Sequence, residues 1–242
     1  MMLYRIASAL FGYPDAALRA ALPAILETVG EDEALMPEER TLLTGFCERM
    51  LACDALQAEE DYVNTFDMVP EHSLHLTHHL IGEDKNRGPA LIDLSEFYRA
   101  HGLDIREKEL PDYLPLLLEF VSVLAPATGQ SFLAGWHKVL RQLQVNLADA
   151  QSPYADLVGL IEARCRPTGS QAEAMTAVSA ASRSNPCLDD GDFHPEVNWS
   201  APAACATPPA PGVRPVHFHE RRTEFAQSGA VQAGQNETHV RR

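Results

Sequence analysis

Four histidines fall within eight residues, His72, His75, His78 and His79, with Glu83 and Asp84 close behind. No other stretch of the chain holds so many candidate metal ligands. On a helix, His75 and His78 are three apart and His75 and His79 four apart, so two imidazoles could share one ion. A catalytic zinc needs a third protein ligand and an open position, and neither HExxH nor a CxxC pair supplies one here. Structural, hydrogen-bonded histidines are the simpler expectation, and a small helical metal-dependent hydrolase stays open as the alternative.

The loop GEDKNRG follows, bounded by Gly82 and Gly88. It lacks both the Walker pattern and a preceding strand, so phosphate cradling has no support, and it reads as a connector or a recognition loop. Arg87 could form a bidentate pair with a carboxylate, either internal or on a partner. Further on, ELPDYLPLLLEF sets Pro111 and Pro115 at the head of a leucine-rich run. With Asp112 as N-cap, Pro115 falls in the first turn, where a missing N–H costs nothing. Asp112 and Glu119 could also rim the apolar residues Tyr113, Leu116 and Phe120, a combination suited to a partly basic, partly apolar peptide bound as a helix. Nucleophilic catalysis finds no motif: GxSxG is absent, and no cysteine has a histidine beside it in sequence.

The elements that must position these residues all read at helical period. Leu3, Ile6, Ala7 and Leu10 mark a first helix, and Asp15 caps a second carrying Leu18, Leu22, Ile25, Leu26 and Val29. A third follows Pro37, AEEDYVNTFD makes a fourth, and EHSLHLTHHL makes a helix ending at Gly82. PALIDLSEFYRAHG is helical with Gly102 as terminator, and the leucine-rich run follows it. After Pro126, one long helix should turn Phe132, Leu133, Trp136, Val139, Leu140, Leu143 and Leu147 inward; Ser152 and Pro153 start the last helix, to Cys165. The expected fold is therefore all-α, a single helical domain over residues 1–167. Residues 168–242 hold 7 of the 17 prolines and few periodic apolar positions, so composition predicts a mostly disordered tail with one short island, VRPVHFHERR.

Composition bounds the function. A 45% hydrophobic content is enough for a sizeable core. The net charge of −15 argues against a nucleic-acid or anionic-membrane surface and favours a basic partner. The tail carries six arginines against eight acids, so the acidity belongs to the helical part. Five cysteines, Cys47, Cys53, Cys165, Cys187 and Cys205, form no CxxC pair and suit a reducing compartment. With no apolar run near the roughly 18 residues of a membrane span and no signal-peptide pattern, the expected location is the cytoplasm.

Two segments carry a resemblance. YVNTFD followed by SLHLTHHLIGEDKNRGPALIDL, and then ELPDYLPLLLEF, are similar in order and type to the nitrate reductase molybdenum cofactor assembly chaperones, NarJ-type, within the TorD-like group. The N-terminal LYRIASALFGYPD and the island PVHFH also fit. The match falls on Tyr62, Phe66, Asp67, Ser73, Leu74, His75, His79, Gly82, Glu83, Arg87 and Gly88, then on Pro111, Asp112, Tyr113, Leu114, Pro115, Glu119 and Phe120. Lys85 stands where arginine is expected, and the long tail has no counterpart. The resemblance implies an all-helical chaperone, not an enzyme and without a cofactor of its own. Its partner would be the catalytic subunit of respiratory nitrate reductase, gripped by its N-terminal peptide until molybdenum cofactor and an iron–sulfur cluster are inserted, with molybdenum cofactor delivery proteins as further partners. It also implies that His75, His79, Glu83, Arg87, Asp112, Tyr113, Leu116, Glu119 and Phe120 meet that partner, with Gly82, Gly88, Pro111 and Pro115 shaping the backbone.

Overall fold

A computed structural model describes residues 1–82, 84–105 and 109–166. The tail 168–242, its island and the candidate Glu83 lie outside the described residues. Among those described there are ten α-helices and no strand: α1 (Met2–Leu10), α2 (Ala16–Glu31), α3 (Pro37–Ala52), α4 (Ala55–Phe66), α5 (Leu76–Ile81), α6 (Arg87–Ala100), α7 (Leu114–Val123), α8 (Pro126–Ala134), α9 (His137–Asp149) and α10 (Tyr154–Cys165). The all-α expectation holds.

Local chemistry explains most boundaries. Asp15 accepts from the Leu18 N–H at 2.8 Å and starts α2, and Asp54 does the same for α4 through Leu56 at 3.0 Å. Gly102, with φ +80°, ends α6 in a left-handed turn in which its N–H reaches the Arg99 carbonyl and the Leu103 N–H reaches that of Tyr98. Helix α10 begins one residue later than expected, with Pro153 at its N-cap, and the Ser152 hydroxyl just before it accepts from the Tyr154 N–H at 3.3 Å.

Helices α2 and α3 form an antiparallel pair whose ends are capped reciprocally. Arg19 of α2 donates to the carbonyls of Met50 and Cys53 at 2.7 and 2.8 Å, at the end of α3. Arg40 of α3 donates to the carbonyls of Gly30 and Asp32 at the end of α2. Each guanidinium thus satisfies orphan carbonyls and opposes the negative end of the partner's dipole.

The core is continuous, running from Leu10 and Phe11 through Leu114, Leu117, Leu118 and Val121 to Trp136, Leu143 and Ile161. Helix α7 packs on α1 and α9 packs on α10. The one long helix expected after Pro126 is instead two, α8 and α9, separated at Gly135 and Trp136. All seven of its expected inward residues are nevertheless buried. Across the break the Gly135 N–H reaches the Phe132 carbonyl at 3.2 Å and the Trp136 N–H that of Leu133 at 2.9 Å, and Trp136 is fully buried.

The helix expected across EHSLHLTHHL is also broken. Pro70–His72 forms a 3-10 turn, the next residues run extended, and α5 begins only at Leu76. The reason is a tertiary bridge: Leu76 N–H donates to the Asp112 carbonyl at 3.0 Å, and Leu114 N–H to that of Leu74 at 2.8 Å, setting His75 opposite Tyr113. Backbone hydrogen bonds supplied from 38 positions away replace those a helix would have made locally.

Candidate functional site

The bridge brings the two distant motifs together at one side chain. Asp112 is 0% exposed, and its carboxylate accepts from His75 Nδ1 at 3.1 Å, from Thr77 N–H at 3.3 Å and from the Thr77 hydroxyl. Arg87 Nη2 lies 3.4 Å away, and Arg87 Nε donates to the Thr77 hydroxyl oxygen at 3.1 Å. The hydroxyl therefore gives its proton to the carboxylate and receives one from the guanidinium, as its one donor and two lone pairs allow.

The N-cap expectation for Asp112 is corrected on one point. Tyr113, with extended backbone, precedes α7, and no side chain caps that helix. The Asp112 carboxylate instead meets the second N–H of α5, so it caps a helix from outside that helix's own sequence. Pro115 still sits within the first turn of α7, where its missing N–H is harmless, and its carbonyl accepts from Ser8 of α1 at 2.7 Å. Pro111 likewise presents its carbonyl to the Tyr98 hydroxyl of α6 at 2.7 Å. The starts of α5, α6 and α7 are thereby tied to one point.

Burial alone would raise the Asp112 pKa, but hydrogen bonds from His75 and Thr77 and the nearby His75 and Arg87 charges outweigh it and hold the carboxyl below its ordinary range. His79 departs in the opposite sense for a cation. Burial pushes its pKa down, only partly opposed by its 2.7 Å hydrogen bond to the Ser73 carbonyl. Tyr62, whose hydroxyl meets the Phe11 carbonyl at 2.9 Å and the Tyr113 hydroxyl at 3.3 Å, is raised far above a free phenol by burial.

A metal site does not assemble from the histidines. His72 is buried with Nδ1 facing the Thr65 carbonyl at 3.0 Å and Nε2 facing that of Asn146 at 3.2 Å, so both ring nitrogens already lie against backbone oxygens. His75 binds Asp112, His79 binds the Ser73 carbonyl, and the His78 ring meets that of His79 edge-on at 6.0 Å. Because His75 precedes α5 instead of lying within it, the expected helical spacing is lost. Among the described residues no three His, Cys, Asp or Glu side chains converge as ligands.

The acidic-rim expectation is corrected as well. Asp112, Leu116 and Phe120 are enclosed, together with Leu114, Leu117 and Leu118, because α1 and the rings of α6 cover α7. This face is core in the described arrangement, not an open groove. What reaches solvent around the hub is the His75 side chain at 36% and that of Arg87 at 23%, with Tyr113 and His79 half-buried and Gly88 exposed; Glu119, further along α7, is half-buried. The His75 ring lies over Tyr113 at 5.3 Å. Thr77 was not singled out from sequence, and Tyr62, although part of the matched motif, was not among the residues expected at the site. Thr77 lies between histidines in a motif of ordinary polar character, and nothing local marks it as the relay between Arg87 and Asp112.

Among the described residues, ten α-helices around a buried polar hub with part-exposed His75, Arg87 and Tyr113 define an all-α protein. Residues 15–158 match the family model described as nitrate reductase delta subunit. That is more than half of the chain, which therefore belongs to this family. The chain is similar to the nitrate reductase molybdenum cofactor assembly chaperone NarJ of Escherichia coli (strain K12), 35% identical over 156 residues, 64% of this chain and 66% of that protein. It is also similar to the probable NarJ chaperone of Bacillus subtilis (strain 168), 32% identical over 176 residues, 72% of this chain and 93% of that one. A third similarity is to the probable assembly chaperone NarW of Escherichia coli (strain K12), 31% identical over 155 residues and 64% of each chain. The matched segment thus spans just under two thirds of the Escherichia coli relatives' length. No helix among the described residues is long and apolar enough to cross a membrane.

Proposed function

We propose that this protein is an assembly chaperone for a respiratory nitrate reductase, not an enzyme. It binds the apo catalytic subunit through that subunit's N-terminal peptide and keeps it competent for insertion of molybdenum cofactor and an iron–sulfur cluster before membrane docking. It acts in the cytoplasm, and molybdenum cofactor delivery proteins meet it during that step. The observation that carries this reading is the meeting of two motifs 38 positions apart at a buried carboxylate whose outer neighbours face solvent. Asp112 works from inside: it fixes His75 and Arg87, while His75, His79, Tyr113 and Arg87 meet the client, with Glu83 and Glu119 as further candidates from the sequence. Leu116 and Phe120 are buried on α7, the helix that Tyr113 precedes. An acidic chain suits a client segment that is basic as well as apolar, because complementary charge speeds encounter and sets register.

Calorimetry with a synthetic peptide covering the N-terminus of the organism's own catalytic subunit tests this directly. Tyr113→Ala should weaken binding roughly tenfold, as loss of a central aromatic anchor does, while the circular dichroism signal stays intact. Equal affinity in wild type and variant would remove Tyr113 from the binding site. Failure of the full-length protein to co-purify with the cofactor-free subunit would remove the chaperone reading itself.

A further inference from the structure

Helix α6 is held sparsely for an element at the centre of the site. Only Leu94 and Tyr98 are buried along its fourteen residues, and Ile92 is 60% exposed, whereas seven residues of the ten in α7 are buried. What α6 covers is the apolar underside of the junction. Tyr98 lies on Phe120 at 4.3 Å, His101 meets the same ring edge-on at 5.8 Å, and Phe97 stacks on Phe132 of α8 at 5.2 Å with planes 6° apart. Arg87, held by Thr77 and Asp112, anchors one end, and the Tyr98 hydroxyl on the Pro111 carbonyl latches the other. Past the latched end, Gly102, at φ +80°, adopts a backbone conformation that side chains disfavour.

We propose that α6 is a displaceable cover, and that an amphipathic helix of the client replaces it on the face formed by Phe120 and Phe132. The inference rests on the chaperone reading and names how its site opens. The chemistry of the occupant is set by the element it replaces: Leu94, Phe97 and Tyr98 stand at i, i+3 and i+4, so the client helix presents aliphatic and aromatic side chains at that spacing. Leu116, one turn before Phe120, extends the same face. A cover is needed because aromatic rings left open to water between clients would invite association with any apolar surface. Binding then competes with a tethered helix, so apparent affinity is reduced by the fraction of molecules in which α6 is lifted.

Two measurements on the full-length protein with the client N-terminal peptide test this. By hydrogen exchange, amides of residues 90–100 should lose protection when peptide binds, although the complex as a whole gains it. In calorimetry, Tyr98→Phe, which keeps the ring but deletes the latch to Pro111, should bind the peptide about fivefold more tightly, the factor that one net hydrogen bond is worth. Peptide binding with α6 protection unchanged or increased overturns the displacement while leaving the chaperone reading intact. Equal or weaker affinity of a folded Tyr98→Phe variant overturns it as well. A concentration-dependent dimer of that variant that no longer takes up peptide, seen by light scattering, would give the face to a second copy's α6. Absence of peptide binding by either protein removes the chaperone reading and this occupant with it.

Discussion

A carboxylate withdrawn from water is stable only when its lone pairs are met by donors, and Asp112 has four: His75, two from Thr77, and Arg87. Replacing it with asparagine keeps the shape but leaves these donors facing an amide, one half of which cannot accept. Asp112→Asn should therefore cost about 2–3 kcal/mol in urea unfolding, the lower part of the range for a broken buried network because Arg87 stays partly in water. The pH dependence has a definite sign. The folded-state pKa of Asp112 lies below its ordinary value of 3.8, so its contribution is fully present above that pH and is lost as pH falls further through the folded value. The variant should lack that part of the acid limb. His79 adds a gentler slope in the same direction. Its folded pKa is below 6.5, so the unfolded chain binds its proton first and stability declines as pH drops beneath that value. His79→Asn should flatten the decline, and an unchanged stability profile between wild type and variant would contradict the assignment.

At the scale of elements, reciprocal capping of α2 and α3 is the most readily tested feature. Arg19→Met and Arg40→Met each retain much of the aliphatic stem while deleting donors to two carbonyls. Each should lower stability by about 1–2 kcal/mol, since hydrogen bonds from a charged group to carbonyls at a helix end exceed a neutral pair. The caps stand at opposite ends of sixteen-residue helices, so the double variant should equal the sum within about 0.5 kcal/mol. Strong coupling between them would mean that the hairpin forms or frays as one unit. Element boundaries were legible wherever the determinant was local. Asp15, Pro37, Gly102 and Ser152 each stand at or beside a helix end, because a cap or a left-handed glycine needs only its immediate neighbours. The breaks at residues 73–75 and at Gly135 were not legible: the first arises from hydrogen bonds to Asp112 and Leu114, and at the second the Gly135 and Trp136 N–H groups reach the carbonyls three residues back.

At the scale of the whole molecule, stability and client binding should separate. Leu117 is fully enclosed between α7 and its neighbours, and Leu117→Ala should cost about 2–5 kcal/mol through lost burial and a residual cavity. The thermal midpoint should drop by about 5–15 °C, with peptide affinity nearly unchanged well below the transition. Tyr113→Ala should do the reverse. If both variants lost binding in proportion to their loss of stability, Tyr113 would be no more than a reporter of folding.

Periodicity and caps were enough to establish an all-α fold from sequence, because hydrophobic spacing and N-terminal capping act over one or two turns of chain, while the family rested on the resemblance of two ordered motifs. The same information could not tell a groove from a core. Asp112, Leu116 and Phe120 carry the same residue types whether they line a surface or lie beneath one, and only the arrival of α1 on one side and of Phe97, Tyr98 and His101 on the other decides it. Nor could spacing reveal that Asp112 caps a helix begun 36 residues earlier in the chain. Which side of a helix meets water, and which distant backbone a carboxylate satisfies, depend on neighbours that become adjacent only when the chain has folded.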